Sequence, residues 1–186
     1  AKSMEELRDG LVQAHKEQMG AASEPIIGLQ LTHSGRYSRP NFRFTPEPMA
    51  LFQHPILDNR FPAQSIRILT DDEIDDLVED FISSAKLAHE IGFDFVDIKH
   101  CHGYFGHELL GAKTRPGKYG GSLEHRLRVF QNVVNGIRTE APDLGIGVRV
   151  SIFDTVPFEA DPGQSLPGKP GPGLPCNYCD AMPYKY

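Results

Sequence analysis

The sequence has no run of 18 or more apolar residues, so no membrane-spanning helix is expected. Its first residues, Ala1-Lys2-Ser3-Met4-Glu5-Glu6, lack the apolar stretch of a signal peptide. They also lack an initiator methionine, which fits a chain cut from something longer. Basic residues are in deficit: the net charge is −6, with acidic residues spread along the chain. No basic face for nucleic acid is visible. Cysteine is scarce, with three residues of which only Cys176 and Cys179 are close together. That excludes a secreted disulfide framework and leaves a reducing cytoplasm as the expected location. No G-x-G-x-x-G turn lies between a strand and the helix after it, which argues against an open dinucleotide-binding sheet.

What is present is an ordinary globular composition, 39% hydrophobic and 24% charged, over 186 residues. Three helix-then-strand units can be read. Ser3 with Glu6 forms a capping-box pattern, Met4, Leu7 and Leu11 recur at helical spacing, and an apolar run from Ile26 to His33 follows. Thr70 with Glu73 caps a second helix, whose stripe is Ile74, Leu77, Val78, Phe81, Ala85 and Ala88. Gly92 ends it, and Phe93 to Lys99 is the next strand. Ser122 opens a third helix with Leu127, Phe130, Val133, Val134 and Ile137, and Leu144 to Ser151 is the strand after Pro142.

Alternating helices and apolar strands mean a parallel sheet. Long polar loops follow each strand, at residues 34–69, 101–121 and 152–186, which is where barrel enzymes keep their chemistry. The fold class expected is therefore α/β, a partial (β/α)8 TIM barrel of about three units, since a whole one needs about 250 residues. The partial barrel spans residues 1–156. Residues 157–186 hold seven prolines and four glycines without an apolar period and are expected to be a loop or disordered tail.

Four motifs carry a resemblance. Gln30-Leu31-Thr32-His33-Ser34-Gly35-Arg36 is followed by Gly92-Phe93-Asp94-Phe95-Val96-Asp97-Ile98 with His102-Gly103-Tyr104. Tyr119-Gly120-Gly121-Ser122-Leu123-Glu124-His125-Arg126 and Gly147-Val148-Arg149-Val150-Ser151 complete the set. In this order and spacing, over roughly residues 25–160, they resemble the old yellow enzyme family of FMN-dependent barrel oxidoreductases. The stretch corresponds to the third to fifth strands of such a barrel.

The resemblance implies FMN as cofactor, NAD(P)H as reductant and a small activated molecule as substrate. It maps flavin contact onto Gln30 and Arg149, with His33 in the flavin's surroundings. An amide can both donate to and accept from the flavin's pyrimidine edge. An arginine beside the N1–O2 locus stabilises the reduced ring's charge. Alternation puts Gly147, Arg149 and Ser151 on one strand face. The resemblance also maps carbonyl binding onto Lys99 and His102 and proton donation onto Tyr104. Lys99 departs from the family's histidine, which points to a carboxylate-bearing substrate or to a reaction other than enone reduction. Tyr119, Gly120, Gly121 and Ser122 read as structural, a tight turn and a helix cap.

Two other functions compete. A three-strand piece of a barrel leaves sheet edges unpaired, so the chain could be an inert fragment that folds only as a homo-oligomer or with a partner. His100 and His102, at i and i+2 with Asp97 nearby, resemble half of the metal site of a barrel hydrolase, with His33 and Asp154 as the remaining ligands on offer. Such a site needs further His or Asp ligands from other strand ends and only those two are available, so no resident metal is expected; His100, on the strand face opposite Lys99, reads as helix-facing. Cys176 and Cys179 have no second cysteine pair and read as free thiols.

Overall fold

The computed structural model describes residues 2–20, 23–54, 57–62, 64–151, 158–160 and 173–175. Helix α1 covers Lys2–Met19, so Ser3 is a helical residue and not the cap that its spacing to Glu6 predicts. Lysine is as good a helix former as the residues after it, and the helix runs past the expected start. None of its residues is buried. Leu7 and Leu11 are 56% and 50% exposed, whereas Met4 packs against the core. Arg8 ties the helix down by donating from Nε to Gly92 O at 2.7 Å.

Strand β1 is Gly28–Leu31. The segment after it is not featureless. It contains a 3₁₀ turn at Gly35–Tyr37, a second at Leu57–Arg60, and two short strands, β2 (Met49–Ala50) and β3 (Arg67–Ile68), that pair in parallel. Helix α2 (Asp71–Glu90) carries the predicted capping box: Thr70 accepts from Glu73 N while the Glu73 carboxylate accepts from Thr70 N. Ile74, Val78, Phe81, Ala85 and Ala88 form its buried stripe. Strand β4 is Phe95–His100.

The loop expected at 101–121 holds a helix of its own, α3 (Phe105–Gly111), with Phe105 and Leu109 buried. At two turns it is too short for a 3.6-residue period to stand out from a loop. Gly106 lets it lie against β4, since an added Cβ would come within 2.6 Å of Lys99 O. Helix α4 (Leu123–Glu140) starts at the Ser122 cap, as the sequence predicts. Its buried line is Val129, Val133 and Ile137, flanked by half-buried Phe130 and Val134. Strand β5 (Gly145–Val150) follows. Of the tail, Phe158–Ala160 (β6) pairs antiparallel with Gly173–Pro175 (β7), and the rest, including Asp154, Cys176 and Cys179, lies outside the described residues.

The main sheet is parallel, in the order β1-β4-β5. Parallel neighbours in register share a face. Leu29, Leu31, Val96, Ile98, His100 and Ile146 therefore turn towards α2 and α4. Gly28, Gln30, Phe95, Asp97, Lys99, Gly145, Gly147 and Arg149 turn to the opposite face, helix-free among the described residues. One face builds the core; the other is left for a site.

Candidate functional site

The helix-free face is polar where a buried sheet face would be apolar. Gln30, Asp97 and Gly147 lie side by side in one row, and Lys99 pairs with Arg149 in the next but one. Gln30 Nε2 donates to Asp97 Oδ2 at 2.7 Å, which holds the amide in one orientation and leaves its carbonyl oxygen and second N–H available for a ligand. Arg149 is exposed. Its Cα stands roughly 12 Å from that of Gln30, from the usual strand spacing and rise. Gly147 keeps the ground between them open, since a Cβ there would meet nothing nearer than Val96 O at 3.8 Å.

At the C-terminal end of β4 the chain makes a sharp turn. His102 and Gly103 both adopt positive φ, 61° and 70°. Left-handed backbone is strained for histidine and tends to be kept where a site needs it. The turn leaves the His102 side chain exposed and brings Tyr104 back over the strand. Lys99 Nζ lies 3.6 Å from the centroid of the Tyr104 ring. Tyr37, from the turn after β1, stands 6.0 Å from Tyr104 and 6.2 Å from Phe61, centroid to centroid. Lys99 and Tyr104 thus meet at the strand end, beside an aromatic wall to which Tyr37 and Phe61 contribute, while His102 lies exposed in the turn between them.

His33 stands at the exit of β1 and is occupied structurally. Its Nδ1 accepts from Gly35 N at 3.2 Å, and its ring meets Phe105 edge-on at 5.4 Å. Burial, with Arg67 adding to it, holds the imidazole below its usual range, so the neutral ring is favoured. Nearby is an ion-pair cluster of which the sequence motifs mark only Arg36, as the end of the first, and not its partners. Arg36 is completely buried; it pairs with Glu108 of α3 and with Asp58, and donates to Phe52 O at 2.8 Å. Burial pushes the Glu108 carboxyl up to about 7, against the opposing pull of Arg36 and of Leu51 N. The cluster clamps the loops behind the aromatic wall onto α3.

Tyr119 and Ser122 hold the scaffold. The Tyr119 ring is buried, and its hydroxyl donates to Asp75 of α2. Ser122 Oγ accepts from His125 N at 3.3 Å. Arg115 joins the same seam, donating to Asp71 at 2.8 Å and to Leu51 O at 2.8 Å.

His100 and His102 do not converge. His100 is buried against Phe130 of α4, ring centroids 5.1 Å apart, on the face away from Lys99. Among the described residues no group of three His, Cys, Asp or Glu side chains is placed to hold a metal ion. The hydrolase reading therefore has no ligand set among the described residues, because β4 ends at His100 and the left-handed turn at His102 breaks the alternation that would put both histidines on one face.

The donor set of the helix-free face suits a flavin. A flat ring with acceptor atoms and one N–H along its edge would meet an amide able to donate and accept at Gln30, a guanidinium at Arg149, and bare backbone at Gly147 between them.

Residues 9–162 match the family described as NADH:flavin oxidoreductase / NADH oxidase. The chain is 34% identical over 144 residues to 12-oxophytodienoate reductase 1 from Oryza sativa subsp. japonica, covering 74% of this chain and 38% of that protein. It is 32% identical over 133 residues to NADPH dehydrogenase from Geobacillus sp. (strain WCH70), covering 70% and 37%. Among solved structures, morphinone reductase in complex with tetrahydroNAD aligns with a TM-score of 0.61 at 27% identity, over 81% of this chain and 44% of that one. The chain thus spans less than half the length of each.

Proposed function

The chain belongs to the NADH:flavin oxidoreductase / NADH oxidase family and is a partial TIM barrel. From that membership we propose that it is part of an FMN-dependent oxidoreductase that carries hydride from NAD(P)H to an activated, carbonyl-conjugated small molecule. The observation that carries this reading is the helix-free face itself, where Gln30, Lys99 and Arg149 stand on adjacent strands with Tyr104 over Lys99.

Bound FMN would supply the hydride, taken from NAD(P)H. The rest belongs to the chain's own side chains. Gln30, oriented by Asp97, binds the ring's edge, and Arg149 holds positive charge beside it. Lys99 and His102 donate to the substrate's carbonyl oxygen and draw electron density from the double bond. Tyr104 gives its hydroxyl proton to the α-carbon, so that hydride and proton together saturate the bond. The aromatic wall of Tyr37 and Tyr104 keeps the substrate flat and excludes water.

A cytoplasmic location belongs to the same proposal, supported by the scarcity of cysteine, three in 186 residues; among the described residues no helix is long and apolar enough to cross a membrane. Among the described residues, strands β1 and β5 each have an edge without a strand partner, and this favours a homo-oligomer. The test is an absorbance spectrum of the purified chain after FMN has been added and the excess removed. Retained flavin bands support the reading, and a colourless protein refutes it for this chain.

A further inference from the structure

Lys99 and Arg149 are direct cross-strand partners on the helix-free face. Two cations on paired positions repel each other. Among the described residues neither has a carboxylate within ion-pair distance. Asp97, two residues before Lys99 on the same face, already accepts from Gln30 at 2.7 Å. The Lys99 ammonium is held instead on the face of the Tyr104 ring, 3.6 Å from its centroid, a contact that places the charge without neutralising it. The geometry points to an anionic group of the substrate as the missing partner. We propose that Lys99 is a specificity-determining residue that selects small, planar, conjugated carboxylates.

Each part of that substrate has its counterpart. Arg149 serves the flavin edge, while Lys99 lies on the neighbouring strand towards Tyr104, Tyr37 and Phe61, whose rings succeed one another at 6.0 and 6.2 Å. The rings are tilted by 42° and 54° to one another, so flat conjugated carbon would meet them by a mix of face and edge contacts. A carboxylate at its end would accept a charge-assisted hydrogen bond from Nζ. A neutral carbonyl would leave the repulsion between the two cations standing. The inference rests on the flavin reading only for the direction in which Arg149 acts.

The test uses trans-cinnamate and its uncharged counterpart cinnamamide, titrated calorimetrically into the whole chain with and without FMN. The acid is expected to bind about tenfold more tightly than the amide, the worth of one charge-assisted contact, with the preference shrinking as salt is raised. Lys99→Gln is expected to bring the ratio close to one, and Lys99→Arg to keep most of it. Equal affinity of the wild-type chain for the two compounds, binding of neither, or a preference that survives Lys99→Gln in a variant with unchanged circular dichroism overturns the inference. Failure to retain FMN overturns the flavin reading alone, because the acid-to-amide ratio is read without flavin as well.

Discussion

Gln30 on β1 and Asp97 on β4 are joined by a 2.7 Å hydrogen bond from the amide nitrogen to the carboxylate, across the helix-free face of the sheet. The bond turns a freely rotating amide into one with a fixed orientation. Asp97→Asn lets the Gln30 amide flip and weakens the bond. This change is expected to reduce FMN affinity by about three- to tenfold, near 1 kcal/mol for one modest hydrogen bond. Quenching of flavin fluorescence on titration measures it, and unaltered affinity would remove Asp97 from the site.

Arg149 is exposed and has no ion-pair partner among the described residues. Arg149→Met is therefore expected to leave the thermal midpoint within a degree or two while lowering FMN affinity at least about tenfold. In whatever FMN remains bound, the reduction potential should move negative, since positive charge beside the ring favours its reduced form. A large loss of stability with no change in flavin binding would assign Arg149 to the scaffold.

Thr70 and Glu73 bind each other's backbone at the start of α2. Thr70→Ala is expected to remove about 1 kcal/mol of stability. In a chain of this size that lowers the melting temperature by about 2–4 °C. A melting curve followed by circular dichroism decides it, and Thr70→Ser should restore most of the loss.

His100 is buried against Phe130, and burial holds its imidazole below the usual range. The unfolded chain then binds a proton near pH 6.5, the ordinary histidine value, that the folded chain refuses. Stability is full above that pH and falls as pH drops towards the depressed folded value. Urea midpoints measured from pH 7.5 down to pH 5 should decline, as the neutral His33 also requires. The decline should be shallower in His100→Phe, and an equally steep one would exclude His100 as a cause.

Asp75 behaves in the same sense at lower pH. Its hydrogen bond from Lys118, and then that from Tyr119, hold the carboxyl below the usual range. Its contribution is present above the ordinary carboxylate value and is lost as pH falls through the folded one. Tyr119→Phe should lessen the acid sensitivity below about pH 4 and leave the neutral-pH spectrum of the fold unchanged. An acid transition identical to wild type would show that the Tyr119 contact does not tune Asp75.

Much of this protein is local and could be read from the chain. The capping box at Thr70, the cap at Ser122 and the stripes of α2 and α4 depend on residues a few positions apart, so spacing alone determines them. Strand alternation likewise set His100 against the helices and Lys99 with Arg149 away from them. Other features needed the tertiary fold, because their partners are distant in sequence. Asp97 orients Gln30 across 67 positions, and Arg36 meets Glu108 across 72. The turn at His102 and Gly103 folds Tyr104 back over Lys99, and no periodic pattern encodes a left-handed pair followed by a two-turn helix. Even α1, whose apolar spacing was legible, shows that a pattern fixes a helix but not its neighbour: Leu7 and Leu11 remain exposed because no other described element covers that face. The sequence determined the long helices and the strands of the main sheet and which way their side chains turn; the short elements inside the loops, and which side chains meet, were decided by tertiary packing.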